Sequence, residues 1–590
     1  MPSNQFILAY YSKKPLTRDS IHTRAEMLAE YTSSLHRKPS IMQSLSVGPH
    51  TGILAWQPSE ESVGWPQFKS VDDEAVAWIG IPEHDAMSNT KPDALALARE
   101  ATVVSGDPDA LGAPYACVYR TGDVLRIVND SLGLARLFEF DFDDLSVWAT
   151  RPGLAHIFAG MPLERNEEAW SGMATLGWNV GGHTHIGAGQ QMPGSIRIVA
   201  SSELGVRRED RYADWIHRTP DARSSWQAAS RGMIRTMSLG GYFPRAPIAD
   251  LSGGKDSRLL AAAALTSGVT ETVRTVRSDH GEVETAEKLV SAYPGKINHL
   301  VTEVSAPKDP AEKTDLEDHL LKTMRGSEGA LVPFTALRGP TFSGYPPLVI
   351  ARFNGHGGEA LHGGEYYKGS WAEKLAGSGT SGAVTRMDKM VAVARATSQE
   401  GRERTMETIK NRFATGRAMG IDTAYGLLNY FYSAERMPFW ASSSPNRSVI
   451  TPYYSSGLLK QIGRTFIQEN EFESFYAEIL ESLIPAWAEI PFYRPAGVKR
   501  RVSKFFWEFY HWHEIKKFVL ERADGSANFD AEGMRNLVHE VEAGAGSKNI
   551  EATFSRFIWE MSVNSVIEDI NRMAFSVRKR LEHAERDPAH

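Results

Sequence analysis

The sequence predicts two domains of mixed α/β and α+β class, a β-rich layered domain over residues 1–212 and a helix-rich α/β domain over 213–590. Three observations support this. Short apolar runs between turn residues recur up to about residue 210, and helical periodicity takes over from about Trp226. Between them the stretch Arg208 to Arg223 is polar and carries Pro220, which suits a boundary. A chain of 590 residues accommodates about two to four domains of ordinary size.

In chain order, Gln5 to Tyr11, Ala75 to Ile81, Tyr115 to Tyr119, Val124 to Val128 and Leu145 to Ala149 read as strands. Asn129 to Gly133 and Pro193-Gly194 are the turn-like breaks, and Lys91 to Val103 is a helix. The second region reads as helices interrupted by short strands at Ala246 to Leu251, Thr272 to Val276 and Pro347 to Phe353. Ala376 to Gly382 is rich in glycine and serine, which restrain the backbone little, and is expected to be a mobile loop. Ala552 to Leu581 carries a long amphipathic helical pattern.

Composition narrows the function. Apolar residues at 42% and charged residues at 23% exclude a disordered, collagenous or coiled-coil chain. There is no apolar stretch of the length a membrane span needs and no basic-then-apolar N-terminal layout, so the expected compartment is the cytosol. A formal charge of −7 argues against nucleic acid as a partner. Cys117 is the only cysteine, which excludes a disulfide framework and a cysteine-rich zinc site. It lies in the apolar run Tyr115 to Tyr119, where a cysteine is expected to be core.

The chemistry is concentrated in Ala246-Pro247-Ile248-Ala249-Asp250-Leu251-Ser252-Gly253-Gly254-Lys255-Asp256-Ser257-Arg258. An apolar run ends in Ser-Gly-Gly and a leucine- and alanine-rich helix follows. Such a turn aims backbone N–H groups and the positive end of a helix dipole at one spot, which makes an anion site. Glycines let phosphate oxygens approach the backbone without a Cβ in the way. Asp256 carries the wrong sign for phosphate, so a bridging Mg2+ is the natural reading. An ordinary P-loop is excluded, because Lys255 is followed by Asp256 and not by serine or threonine.

The Ser-Gly-Gly-x-Asp-Ser string resembles the pyrophosphate loop of the asparagine synthetase superfamily, the ATP-pyrophosphatase type. Arg352-Phe353-Asn354-Gly355-His356-Gly357-Gly358-Glu359-Ala360-Leu361-His362-Gly363-Gly364 is similar to that family's second signature, about a hundred residues on. The resemblance covers roughly residues 216 to 520 and implies a doubly wound α/β ATP-pyrophosphatase domain with helical additions. It also implies an N-terminal glutaminase-like domain of Ntn type. By carry-over, Ser252, Gly253, Gly254 and Ser257 would hold the pyrophosphate of ATP, and Asp256 and Glu359 would bind Mg2+. Leu251, Val276 and Gly355 would lie along the adenosine. Glu359 stands where the family has aspartate, and Ala360 replaces the acid that follows it.

His356 occupies a position where asparagine synthetases carry glutamate and β-lactam synthetases carry tyrosine. Gly-His-Gly-Gly instead looks like the macrolactam cyclases of lasso peptides. The imidazole either takes a proton from an attacking ammonium or packs beneath the nucleotide. A basic residue near the pyrophosphate leaving group is expected in a late loop, with Arg494, Lys499 and Arg500 as candidates. The glutaminase-like domain has Pro2 where glutamine-dependent members have a nucleophilic cysteine, so the amine is expected to come from the substrate.

These readings lead to an ATP-dependent, glutamine-independent carbon–nitrogen ligase that adenylates a carboxylate for attack by an amine. The favoured substrate is a peptide that closes a macrolactam, with a leader-processing protease or a carrier as partner. A small-molecule or β-lactam-forming synthetase and an inactive nucleotide-binding scaffold are the alternatives. His183-Thr184-His185 and His511-Trp512-His513 lack a nearby third metal ligand in sequence. Tyr366-Tyr367 and Tyr453-Tyr454 are candidates for an acceptor pocket, or buried structural tyrosines.

Overall fold

Along Phe6–Ser12 both faces of the strand are buried. Phe6, Leu8 and Tyr10 enter a core beneath helices, while Ile7, Ala9 and Tyr11 enter a second core. This pattern is set by a helix–sheet–sheet–helix stack. The computed structural model describes residues 6–35, 40–58, 65, 67–83, 93–104, 111–217, 226–277, 280–303, 315–330, 337, 349–358, 371–440, 448–460, 473–493, 505–508 and 510–586.

The first antiparallel sheet runs in the order Gln190–Gln191, Phe138–Phe142, Leu145–Ala149, Phe6–Ser12, Thr51–Pro58, Ser40–Val47. The second runs Gly205–Asp210, Ile196–Ser201, Val124–Asn129, Tyr115–Thr121, Glu74–Gly80, Phe68–Val71. Ile53, Ala55, Ala77, Ile79, Ala116, Val118 and Ile127 fill the space between them, with many small side chains. Because both faces are covered, the central strands read as unbroken apolar runs and not as alternation. Cys117 lies fully buried on the outer face beside Trp78 and Tyr119, as expected of a core cysteine.

The second region is α/β and helix-rich. Ala249–Asp250, Thr272–Arg277 and Asn298–Glu303 pair in parallel, and so do Arg352–Phe353 and Val449–Ile450. A parallel bridge from Arg245 to Ile350 joins the two groups. The five strands, numbered in chain order, therefore lie in the order 3-2-1-4-5. The order reverses between the first and the fourth, and a crevice opens beyond the carboxyl ends of strands at such a switch point.

Two local expectations need correction. The strand expected from Ala246 shrinks to Ala249–Asp250, and of the one expected from Pro347 the described residues form Arg352–Phe353. The expected loop at Ala376 to Gly382 is partly helical, because Gly379–Ala392 buries Ala383, Met387 and Val391, an apolar gain a loop would forgo. The long amphipathic pattern is realised as Lys548–Arg586, 39 residues.

That last helix packs on Arg18–Leu35 and Pro152–Ala159, the helices covering the first sheet. Asn571 clasps Leu163 there, accepting from its N–H at 2.6 Å and donating to its carbonyl at 3.0 Å. Glu83 ties the second sheet to the α/β region. Its buried carboxylate accepts from Arg235 at 2.6 Å, Thr236 at 3.0 Å and the Ser456 N–H at 2.7 Å. No described helix is long and apolar enough to cross a membrane.

Candidate functional site

The carboxyl end of Ala249–Asp250 delivers the chain into the crevice. The Leu251 N–H donates to the Arg274 carbonyl at 2.8 Å, and the Leu251 carbonyl accepts from Thr275 Oγ1 at 2.9 Å, so this residue is still held by the sheet. The chain then turns through Ser252, Gly253 and Gly254 into helix Lys255–Thr266. Arg258 to Leu265 are buried, which fixes the helix on the sheet and aims its N-terminus at the crevice. Gly254 is the N-cap and supplies no side-chain cap, so the first-turn N–H groups are not closed off by a side chain of the cap residue.

Ser252 and Ser257 brace the turn from within. The Ser252 N–H donates to Ser257 Oγ at 3.1 Å, the Gly254 N–H donates to Ser252 Oγ at 3.1 Å, and the two hydroxyls are 2.5 Å apart. The pair holds two hydroxyl protons and uses one between themselves, which leaves one to donate to a ligand oxygen.

The second motif enters from the neighbouring strand. The Asn354 N–H donates to the Ile450 carbonyl at 2.9 Å, and Asn354 Oδ1 accepts from the His356 N–H at 3.0 Å. Gly357 has φ +94, and a Cβ there would meet the ring of Tyr454 at 2.5 Å. A Cβ at Gly358 would fall 2.6 Å from Asp256 Oδ1, so the two motifs are in direct contact. The Tyr476 hydroxyl lies 2.5 Å from Asp256 Oδ1 and 2.9 Å from the Gly358 carbonyl oxygen. Tyr453 donates to the Asp256 carbonyl at 2.6 Å.

A third segment docks on the first turn. The Tyr493 N–H donates to the Gly253 carbonyl at 2.9 Å, and a Cβ on Gly253 would fall 2.5 Å from that of Tyr493. Arg258, fully buried, donates to the carbonyls of Gly253 at 3.2 Å, Pro491 at 3.0 Å and Trp487 at 3.4 Å. Its guanidinium carbon sits 4.5 Å from the centre of the Phe492 ring. Burial lowers its pKa to about 10, so it stays charged at neutral pH. The Lys255 ammonium lies over the rings of Tyr476 and Phe492, at 5.7 and 5.8 Å.

His356 is half-buried, 6.5 Å from the ring of Trp440, and burial pushes its pKa down to about 4. Because Asn354 Oδ1 accepts from the backbone, its amide nitrogen faces His356 Nδ1 at 3.1 Å as donor. That assigns Nδ1 as acceptor and Nε2 as the protonated nitrogen. In this arrangement the ring is neutral at physiological pH and acts as a donor.

The first turn, with Ser252, Gly253, Gly254, Asp256 and Ser257, thus meets the second motif at Asp256 and Gly358, Gly355 and His356 stand just before Gly358 in the chain, and Val276 is 41% exposed at the end of the next strand. Glu359, Arg494 and Lys499 lie outside the described residues, as do Ala360, Arg500, Tyr366 and Tyr367. Tyr453 and Tyr454 are buried. His183 pairs with Glu168 at 3.2 Å, and His185 bonds the Glu328 carbonyl. No group of three metal-ligating side chains occurs among the described residues. Asp256 beside a phosphate-type turn suits Mg2+ shared with phosphate oxygens, which does not need an all-protein cage. Tyr476 and Arg258 were not singled out from the sequence, and each acts across more than two hundred residues.

No family model matches the chain, and no curated protein matches it. Solved structures similar to it include the glutamine phosphoribosylpyrophosphate amidotransferase from B. subtilis complexed with ADP and GMP. The identity is 10%, over 52% of this chain and 82% of that one, with a TM-score of 0.22. An allosteric regulatory enzyme of purine biosynthesis is similar at 11% identity, over 51% of this chain and 81% of that one, with a TM-score of 0.23. Scores this low carry no weight for the crevice, whose assignment stands on its own geometry.

Proposed function

We propose that the protein is an ATP-dependent amide-forming ligase whose α/β region is of the ATP-pyrophosphatase type and whose N-terminal layers are a glutaminase-like domain of Ntn type. The observation that carries the reading is the meeting of the two signature turns at Asp256, at the switch point of a parallel sheet. In the reaction a substrate carboxylate oxygen attacks the α-phosphorus of ATP, and the bond to the β-phosphate oxygen breaks. Pyrophosphate leaves. An amine then attacks the acyl carbon, the bond to AMP breaks, and the ammonium proton passes to solvent or a base.

Each residue has a role in holding this sequence together. The first-turn N–H groups of Lys255–Thr266 and the spare hydroxyl proton of Ser252 and Ser257 bind the pyrophosphate. Asp256, with Glu359 in the second motif, would hold Mg2+, which neutralises charge on the leaving group when bound. His356 donates from Nε2 toward the reacting acyl group. Arg494 and Lys499, in the segment that follows Tyr493, are the candidate cations for the leaving pyrophosphate. Cys117, the only cysteine, is buried, and burial raises its thiol pKa, which supports a substrate-borne amine over ammonia from glutamine.

Within this class the Gly355-His356-Gly357-Gly358 string favours macrolactam closure of a lasso-type peptide. A leader-processing protease or a carrier is then the expected partner, while a small-molecule or β-lactam substrate would leave the same site chemistry in place. The test is AMP and pyrophosphate release on adding candidate peptides or acids. Asp256→Asn is expected to abolish it, and an unchanged rate in that variant would remove the Mg2+ role. A product lighter than its peptide by one water would identify ring closure.

A further inference from the structure

Tyr476 belongs to helix Glu473–Leu483, outside both signatures and 118 residues beyond Gly358. Its side chain is 1% exposed, bounded by the edge of the Phe492 ring with centroids 6.5 Å apart and by the Lys255 ammonium over its face. That packing fixes where the hydroxyl points. It meets Asp256 Oδ1 from the first turn and the Gly358 carbonyl from the second, at 2.5 and 2.9 Å. A carboxylate oxygen and a carbonyl oxygen are both acceptors, and a phenol carries one proton. The single proton therefore serves one partner at a time, and the shorter contact assigns it to Asp256 Oδ1.

We propose that Tyr476 is a positioning residue for the metal–nucleotide site. It donates to Oδ1 of Asp256 and keeps this bond when the ion binds, so that the carboxylate is already oriented to offer its other oxygen to Mg2+. The inference rests on the Mg2+–nucleotide reading above. A tyrosine that merely filled a core slot would bring no hydroxyl to the one carboxylate and one carbonyl at which the two signatures touch. The neighbouring Tyr453 does not duplicate it, since Tyr453 reaches only the backbone of Asp256 among the hydrogen bonds described.

The experiment uses the full chain, with Mn2+ and ATP as probes and free Mn2+ followed by electron paramagnetic resonance. Tyr476→Phe keeps the ring and removes the hydroxyl. It is expected to weaken Mn2+-dependent ATP binding by about 10-fold, the cost of ordering a carboxylate that the hydroxyl no longer holds. ATP binding in excess chelator should be unchanged, and Tyr476→Phe should add nothing in an Asp256→Asn background. Tyr476→Met, which also lacks the hydroxyl, gives the same pattern and serves if the phenylalanine variant does not fold. Wild-type Mn2+–ATP affinity in the variant, equal losses with and without metal, or an undiminished loss in the Asp256→Asn background would each overturn the proposal. A wild-type chain that binds ATP without any help from Mn2+ overturns it too while sparing nucleotide binding. A wild-type chain that binds no ATP overturns the proposed function itself.

Discussion

Gly358 and Asp256 are packed so closely that a Cβ on the glycine would lie 2.6 Å from Oδ1 and 2.9 Å from Cγ of the aspartate. The glycine is therefore required by the approach of a carboxylate, since its φ lies outside the left-handed region. Gly358→Ala should push the Asp256 side chain off its position while the backbone stays unstrained. Pyrophosphate release is expected to fall at least about 100-fold, the scale of losing one charge-stabilising group. Gly355→Ala is the contrast, because among the described residues nothing beyond its chain neighbours lies within 4 Å of a Cβ placed there. It should leave thermal stability unchanged and raise the KM for ATP if adenosine lies along that residue. Equal activity of Gly358→Ala and wild type would show that the carboxylate position does not matter.

Local features of this site were legible in the sequence, and long-range ones were not. The turn at Ser252 to Gly254 is written in consecutive residues, because a strand end, two glycines and a helix start need only neighbours. The second turn was legible for the same reason. Tyr476 reaches Asp256 across 220 residues, and nothing around it in Glu473–Leu483 distinguishes it from a core tyrosine. Lys548–Arg586 shows the same division. Its periodicity marked a helix, but its packing on Arg18–Leu35 and Pro152–Ala159 depends on elements roughly four hundred to five hundred residues away. The central strands of the two antiparallel sheets were found because burial on both faces demands continuous apolar runs. Among the parallel strands Thr272–Arg277 was found to within a residue, while the run before Ala249 was over-read, since Ala246 and Ile248 lie exposed and join no ladder.

Arg258 holds the segment before Tyr493 against the first turn. Replacing it with methionine keeps most of the stem's packing but removes the donors to the carbonyls of Gly253, Ile490, Pro491 and Trp487, of which Gly253 keeps the Tyr493 N–H and Trp487 the Ile490 N–H. Buried acceptors left without donors cost roughly 1–3 kcal/mol each before relaxation, so a loss of about 3 kcal/mol in stability is expected. Arg258→Lys should recover only part of it, because one ammonium lacks the planar fork that reaches several carbonyls. Thermal unfolding of both variants checks this. A methionine variant as stable as wild type would show that the carbonyls find other donors.

Glu560 gives the chain a pH dependence that can be assigned to one residue. It lies 1% exposed on Lys548–Arg586, with Oε1 accepting from Ser526 at 2.8 Å and the Arg165 guanidinium 3.6 Å away. Burial outweighs these partners and raises its pKa from 4.5 to about 7. Between those values the folded chain holds a proton that the unfolded chain has released. Stability therefore falls as pH rises through this window and levels off above about 7. The shift corresponds to roughly 3 kcal/mol between pH 4.5 and neutrality. Glu560→Gln keeps the size and removes the titration, so the stability difference between wild type and variant should move by about that amount, in the variant's favour, from pH 5 to pH 8. Comparing the two unfolding curves cancels the carboxylates they share. A difference that stays constant with pH would mean that Glu560 is ionised in the fold and better solvated than its surroundings imply.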